Sequence, residues 1–279
     1  MSDDLIFRAG RTAVITGAAS GIGLAAARRC AAAGMTVVMT DIADDLASAA
    51  SGTAALGGRV EAQRLDVTDF AAVQALQQDV FRRHGDVALL MNNAGRSVPS
   101  QPFGALDAWR KTFDVNFWGV VHGVQAFTQA MVDQGAPARI VNTGSKQGIT
   151  NPPGNPAYNA TKAAVKSLTE SLQHGLRNIE GGQVTAHLLI PGFTYTGMIK
   201  AWIPKKPPSA WTAEQVVEEM VRALAAGDFY ILCPDNETPR EIDAARMAWN
   251  ADDIARNRPA LSRWHPDYAA AFADYMAKG

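Results

Sequence analysis

Short apolar runs alternate with alanine-rich or amphipathic stretches along almost the whole chain, and this alternation constrains the fold more than any other feature. The runs at residues 13–16, 36–40, 60–65, 87–91, 139–143 and 184–190, with another at 229–232, have the length and β-branched content of strands. Between them, residues 22–33, 44–55, 70–84, 109–131 and 156–178 carry helical patterning. Gly34 and Gly85 stand where two of those helices should end, because a helix often closes on a left-handed residue. Such alternation implies parallel strands crossed by helices, hence an α/β, Rossmann-type doubly wound parallel sheet of about seven strands with helices on both faces. In sheets of this kind ligands bind beyond the carboxyl ends of the strands. Asp41, Asp66, Asn92, Ser145 and Pro191 all fall there.

Composition narrows the partners. Lys and Arg number 26 against 27 Asp and Glu, a formal charge of −1, so no basic excess points to nucleic acid or an anionic membrane. No apolar run approaches the ~20 residues needed to span a bilayer. Residues 1–10 lack the apolar core of a signal peptide. Cys30 and Cys233 cannot build a disulfide framework, which fits a reducing compartment; the expected location is the cytoplasm. No His/Cys/Asp grouping has ligand spacing, so no metal is implied. His84, His122 and His187 read as packing or surface residues.

The turn after the first strand reads Thr16-Gly17-Ala18-Ala19-Ser20-Gly21-Ile22-Gly23. Its glycines let the backbone approach a pyrophosphate, and the helix that follows offers free N–H groups and a positive dipole end. Asp41, at the end of the second strand, can bind ribose hydroxyls. A carboxylate ~4 Å from a 2′-phosphate would cost roughly 1–4 kcal/mol in a partly solvated site. No basic residue occupies Ala18, Ala19, Ser20 or Ile42, so NAD is expected over NADP. Asp66, with Val67 beside it, is placed to meet the adenine ring.

Asn155-Pro156 is a helix start, a side chain that can cap followed by a residue with φ already set. Tyr158 and Lys162 then lie one turn apart on one face, and Ser145 precedes the tyrosine by thirteen positions. A tyrosine with a pKa of about 10 is a poor base, but a neighbouring ammonium favours the phenolate and lowers that value by roughly 1–3 units. A phenol so tuned can exchange a proton with an alcohol or ketone oxygen.

Together these motifs resemble the short-chain dehydrogenase/reductase family, in its compact single-domain, NAD-preferring branch. The resemblance covers about residues 7–232 and rests on Thr16-Gly17-x-x-x-Gly21-x-Gly23, Asn92-Asn93-Ala94-Gly95, Asn116, Ser145, Tyr158-x-x-x-Lys162 and Pro191-Gly192. It implies that Tyr158 is the general acid/base and that Lys162 holds the nicotinamide ribose. Ser145 would bind the substrate oxygen, and Asn116 would lie in a locally distorted helix that admits a water for a proton relay. Asn92, Asn93, Ala94 and Gly95 would line the cofactor groove, and Pro191, Gly192, Thr194 and Thr196 would meet the nicotinamide end. The implied reaction is NAD-linked interconversion of a secondary alcohol and a ketone. The competing expectations are an NADPH-dependent carbonyl or 3-oxoacyl reductase and, in another class, a non-catalytic NAD-binding sensor.

Residues 1–279 are then expected to form one catalytic domain, with a core over about 7–233, a segment over 193–212 that folds over the substrate, and a helical C-terminal extension over 234–279. Thr212 with Gln215, and Thr238-Pro239-Arg240-Glu241, read as capping boxes. Trp264-His265-Pro266-Asp267 should start a second aromatic helix, and the amphipathic tail should dock over the cleft, on its own core or on a neighbouring subunit. Met198, Ile199, Trp202 and Ile203, together with Val98, Ile149 and Phe193, suggest a hydrophobic cyclic or aromatic substrate. Arg96, Lys146 and Gln147 flank the expected site and could recognise a polar or anionic group. A homodimer or homotetramer is expected, with the helices of Asn116 and Tyr158 as the dimer contact.

Overall fold

The structure, a computed structural model, describes residues 5–200 and 203–278. Its strands are β1 (Thr12–Thr16), β2 (Thr36–Asp41), β3 (Arg59–Arg64), β4 (Leu89–Asn92), β5 (Ala138–Thr143), β6 (Val184–Ile190) and β7 (Tyr230–Leu232). They form a seven-stranded sheet in the order β3-β2-β1-β4-β5-β6-β7, and every pairing is parallel. The order reverses between β1 and β4, which opens a crevice at their carboxyl ends.

The helices are α1 (Gly21–Ala32), α2 (Leu46–Ala54), α3 (Phe70–His84), α4 (Leu106–Phe113), α5 (Gly119–Asp133), α6 (Gln147–Thr150), α7 (Pro156–Arg177), α8 (Gly197–Lys200), α9 (Ala213–Ala226), α10 (Arg240–Ala255) and α11 (Ala269–Lys278). Alternate strand residues feed opposite faces of the sheet. Ala13 and Ile15 pack with Ala26 and Cys30 of α1 and Val216 and Met220 of α9, whereas Val14 packs with Val73 and Leu76 of α3 and Phe127 of α5. Because both faces are covered, the strands read as continuous apolar runs. Burying side chains the size of Ile15 or Leu90 contributes roughly 1.5–3 kcal/mol each, which makes the sheet a rigid base for the loops above it.

The helical stretch 109–131 carries the local distortion expected at Asn116: a π-helical turn over Asp114–Trp118 separates α4 from α5. Two local expectations need correction. Asn155 stands at the N-cap of α7 but makes no side-chain cap bond. Its Oδ1 instead accepts the Ser100 hydroxyl, and it is Ser100 Oγ that accepts the Ala157 amide at 3.1 Å. Thr238 does not cap α10. Pro239, with φ −65° and ψ 167°, keeps the chain extended one residue further, and Thr238 Oγ1 accepts a bond from Arg246 instead. The capping box of Thr212 and Gln215 on α9 is present with both reciprocal bonds.

Candidate active site

A cleft of about 860 Å³ runs across the carboxyl ends of the strands, from Asp41 and Asp66 at one end to Ser145 and Tyr158 at the other. The glycine-rich turn forms its floor. Gly17 has φ +66°, and a Cβ there would lie 2.8 Å from Ala94 Cα, so only glycine fits. Gly23 does not line the cleft; it packs under the turn, where a side chain would overlap the Gly17 carbonyl. Asn93 holds the turn down: its Nδ2 donates to the Thr16 and Gly17 carbonyls at 3.1 and 3.2 Å. Adjacent residues at the end of a strand point to opposite sides. Asn92 therefore turns away from the cleft, against the expectation for it, and donates to Asn142 Oδ1 beneath α5.

Asp41 spends its carboxylate on three backbone donors. Oδ1 accepts from Ile42 and Ala43, and Oδ2 accepts from Ala19 at 3.0 Å, which ties the end of β2 to the turn. The carboxylate still borders the cleft beside Ile42, and Asp66 and Val67 follow along the same wall. The basic side chains lining the cleft among the described residues, Arg96, Lys146 and Lys162, belong to segments at its other end. A bare glycine cradle, a helix N-terminus and a carboxylate with no cation beside it fit a dinucleotide that offers ribose hydroxyls there.

At the other end, α7 presents Tyr158 and Lys162 to the cleft. Packing around the phenol pushes its pKa up, and a hydrogen bond with Ser145 pulls it down. Lys162 donates to the Thr143 carbonyl at 2.7 Å, and its ammonium lies 5.7 Å from the centre of the Tyr158 ring. Burial lowers its own pKa to about 8. The lowering of the tyrosine pKa expected from the lysine is not among the causes acting on the phenol, and burial sets the upward direction. Asn116 is buried behind this wall: Oδ1 accepts the Arg96 amide at 2.8 Å, and Nδ2 donates to Arg96 O and Thr161 Oγ1. It braces the loop after β4 against α7 and does not line the cleft.

Ser145 begins a segment without a strong sequence signal, the short helix α6. Its Oγ accepts the Gln147 amide at 3.2 Å, and Gly148 packs so closely on the Lys162 backbone that any side chain there would overlap it. Gly148 supports the site and was not anticipated, since its partner lies on another helix. Beyond β6, Pro191, Gly192, Phe193, Thr194 and Thr196 reach the cleft, and Thr196 packs against Gly21. The Tyr195 amide donates to Trp211 O at 2.8 Å and the Trp211 amide to Phe193 O at 2.9 Å, which ties the start of this segment to its far end.

The other anticipated residues divide. Ser20, Gly21, Ile22, Ala94, Gly95, Gln147, Val98 and Met198 line the cleft. Trp202 lies outside the described residues. Ile149 packs in the core with Val165 and Leu188 instead of facing the cleft. Lys146 does line the cleft, but its ammonium is held by Asp235 at 3.3 Å and Asp243 at 2.5 Å. That charge is already matched, which removes the reason to assign it a substrate anion. His187 is a packed strand residue, bonded to Asp228 O and Thr185, with burial lowering its pKa to about 4.

Comparison with known proteins places this geometry. A 1-deoxy-11-beta-hydroxypentalenate dehydrogenase of Streptomyces avermitilis is 37% identical over 245 residues, 85% of this chain and 90% of that one. A cis-4-hydroxycyclohexanecarboxylate dehydrogenase of Sinomonas cyclohexanicum is 32% identical over 214 residues, 76% of this chain and 84% of the other. Among solved structures, a short chain dehydrogenase/reductase from Burkholderia phymatum in complex with NAD superposes with a TM-score of 0.81 at 35% identity, covering 91% of this chain and 96% of that one. Residues 11–207 match the family described as short chain dehydrogenase, a stretch that carries the glycine-rich turn, Asn93, Ser145, Tyr158 and Lys162 alike, and the chain belongs to the short-chain dehydrogenase/reductase family.

Proposed function

We propose that the chain is an NAD-dependent dehydrogenase that interconverts a secondary alcohol and a ketone. The observation that carries this reading is the meeting of Ser145, Tyr158 and Lys162 at one end of the cleft, with the buried Lys162 ammonium bonded to Thr143 O at 2.7 Å and 5.7 Å from the centre of the phenol ring. NAD, when bound, supplies the hydride acceptor. Asp41 accepts from its adenosine ribose, and Lys162 from behind the phenol holds the second ribose. Ser145 donates to the substrate oxygen and fixes it against Tyr158. Tyr158 gives its proton to a ketone oxygen in reduction and, as phenolate, takes one from an alcohol in oxidation. Because burial raises its pKa, ketone reduction should fall and alcohol oxidation rise with increasing pH through the alkaline range. Asn116, in the π-turn, holds the wall on which these groups stand and is assigned the proton relay.

The substrate we infer is an alicyclic alcohol carrying an anionic group. Val98, Phe193, Met198 and Ile199 supply apolar wall. Two of the relatives are named for hydroxylated ring or polycyclic acids. Of Arg96 and Lys146, the basic residues at the substrate end besides Lys162, Arg96 is the exposed one and has no ion pair among the described residues, so it is the group assigned to the anion. We further infer a homodimer through the faces of α4, α5 and α7. The exposed Leu106 of α4, at 66%, and Trp118 of the adjoining π-turn, at 48%, are the apolar groups that support it. No helix among the described residues is long and apolar enough to cross a membrane, and a cytoplasmic location is proposed.

The test is NAD-linked oxidation of a panel of cyclic secondary alcohols by the wild type and Tyr158→Phe, with NADH binding measured on both. Turnover that drops by about 10²–10⁴-fold in the variant while NADH still binds supports the assignment. Turnover that survives the substitution overturns it, and NADH binding with no turnover on any alcohol favours a cofactor-binding protein without chemistry.

A further inference from the structure

The residues after β7 grip both sides of the substrate end of the cleft. Lys146 follows Ser145 directly, and its backbone amide bonds to the Pro191 carbonyl. Its ammonium is caught between Asp235, just after β7, and Asp243 in α10. Asp235 Oδ2 also accepts the Phe193 amide at 3.4 Å, the first residue past Pro191-Gly192. Gly192 passes so close that a Cβ there would lie 2.8 Å from Lys146 Nζ and 3.0 Å from Asp235 Oδ2. Two further bonds repeat the pattern. Asn250 Nδ2 of α10 donates to the Ile149 carbonyl in α6 at 3.0 Å, and Asn236 bonds to Pro208 and Ser209 at the far end of the loop.

The extension is itself stiff enough to act as an anchor. Trp249 is buried under Phe272 and Tyr275 with Arg258 stacked on it, and its Nε1 donates to Ser262 Oγ at 2.8 Å, which in turn donates to Asp253. Met247 meanwhile packs into the core with Val165 and Leu188.

We propose that Lys146, Asp235 and Asp243 are positioning residues: a buried ion cluster through which the C-terminal extension holds Ser145 and the first residue of the substrate loop in register with each other. The side chains of the cluster are largely buried, at 14%, 10% and 4% exposed. Removing one partner therefore leaves uncompensated charge in a dry site and frees both flanks at once. The extension is then a working part of the cleft, although none of its described residues lines it. The kinetic arm of the test rests on the dehydrogenase reading; the structural arm does not.

The experiment compares full-length wild type with Lys146→Met, Lys146→Arg and Asp243→Asn, reading backbone amide exchange, NADH binding and, on any alcohol the wild type oxidises, kcat and KM. In Lys146→Met, exchange should rise about tenfold in residues 145–150 and 192–199 together with 235–250, while residues 156–177 stay protected. NADH binding should be retained and kcat should fall about 10- to 100-fold, as a misplaced reacting group requires. Lys146→Arg should restore most of both. Asp243→Asn makes the same change from the other side and decides the matter if Lys146→Met does not fold. Exchange that rises only within residues 240–278, or that leaves 192–199 unaffected in both variants, would overturn the proposal whatever the substrate proves to be. Unchanged kcat with coupled exchange would overturn the catalytic consequence, and absence of turnover in the wild type would count against the dehydrogenase reading, leaving exchange to decide the cluster.

Discussion

Ser100 and Ala157 lie 57 residues apart in sequence, yet the Ser100 hydroxyl accepts the Ala157 amide at 3.1 Å and donates to Asn155 Oδ1 at 2.5 Å. The loop after β4 therefore supplies the cap of the helix that carries Tyr158. Asn155, freed from that task, sends its amide back to Ser97 and Val98, so the two segments hold each other. A capping hydroxyl removed from a buried amide costs about 0.5–2 kcal/mol. Ser100→Ala should lower stability by that amount in denaturant melts, and Asn155→Ala should loosen the loop at 97–100 with less effect on the first turn of α7. Equal stability of Ser100→Ala and wild type would return the cap to Asn155.

Asp41 has two jobs that can be separated. Its acceptance of the Ala19 amide shapes the glycine-rich turn, while on the proposed NAD reading its charge beside Ile42 would oppose a 2′-phosphate. Asp41→Ser combined with Ile42→Arg keeps one acceptor for the turn and exchanges repulsion for a guanidinium that suits phosphate. kcat/KM with NADP should rise about 10- to 100-fold as a repulsion worth roughly 1–4 kcal/mol is removed, with a loss for NAD. Steady-state kinetics with the two cofactors check this; an unchanged preference would place the discrimination elsewhere.

What could be read in the chain depended on how local its cause was. The helix Phe70–His84 and the strand Val184–Ile190 fall where patterning put them, because the glycine stop and the apolar run are contained in the segments themselves. The glycine-rich turn, Ser145, Tyr158 and Lys162 were legible as a set because spacing on known elements brings them to one edge. Several failures have causes that no local pattern carries. Which of Asn92 and Asn93 faces the cleft depends on the phase of β4, and two adjacent amides carry no mark of it. Lys146 looked free because Asp235 lies 89 positions further on. α6 has only four residues, and what it needs is Gly148 against the Lys162 backbone, a contact between helices that no local pattern records.

His187 gives stability an acid limit. Buried in β6, with its ring bonded to Asp228 O and Thr185 Oγ1, it has its pKa lowered from 6.5 to about 4, chiefly by desolvation. The unfolded chain binds a proton there near pH 6.5 and the folded chain only near 4, so the unfolded state carries more protons in between. Stability is therefore complete above 6.5 and declines as pH falls from 6.5 toward 4, by up to roughly 3 kcal/mol. His187→Gln keeps hydrogen-bonding capacity without the titration. Its denaturation free energy should be flatter than that of the wild type across this window, and parallel curves would assign the acid sensitivity to other groups.

The two cations flanking the substrate end should answer differently to an acidic substrate. Lys146 is already matched by two carboxylates, whereas among the described residues Arg96 is bound through its backbone, by Asn116, and its side chain is exposed beside the cleft. A guanidinium contact with a carboxylate is worth about 1.5–3 kcal/mol when it forms. Arg96→Ala should therefore raise KM for a hydroxylated ring acid about 10- to 100-fold while leaving its methyl ester nearly unaffected. Lys146→Met should lower kcat for acid and ester alike, because it disturbs the position of Ser145 and not the recognition of charge. The ratio of kcat/KM for acid over ester is the measurement that separates them: it should collapse in Arg96→Ala and persist in Lys146→Met. A ratio that collapses in Lys146→Met instead would mean that an incoming anion displaces Asp235 or Asp243 from the lysine and that the cluster opens to bind substrate.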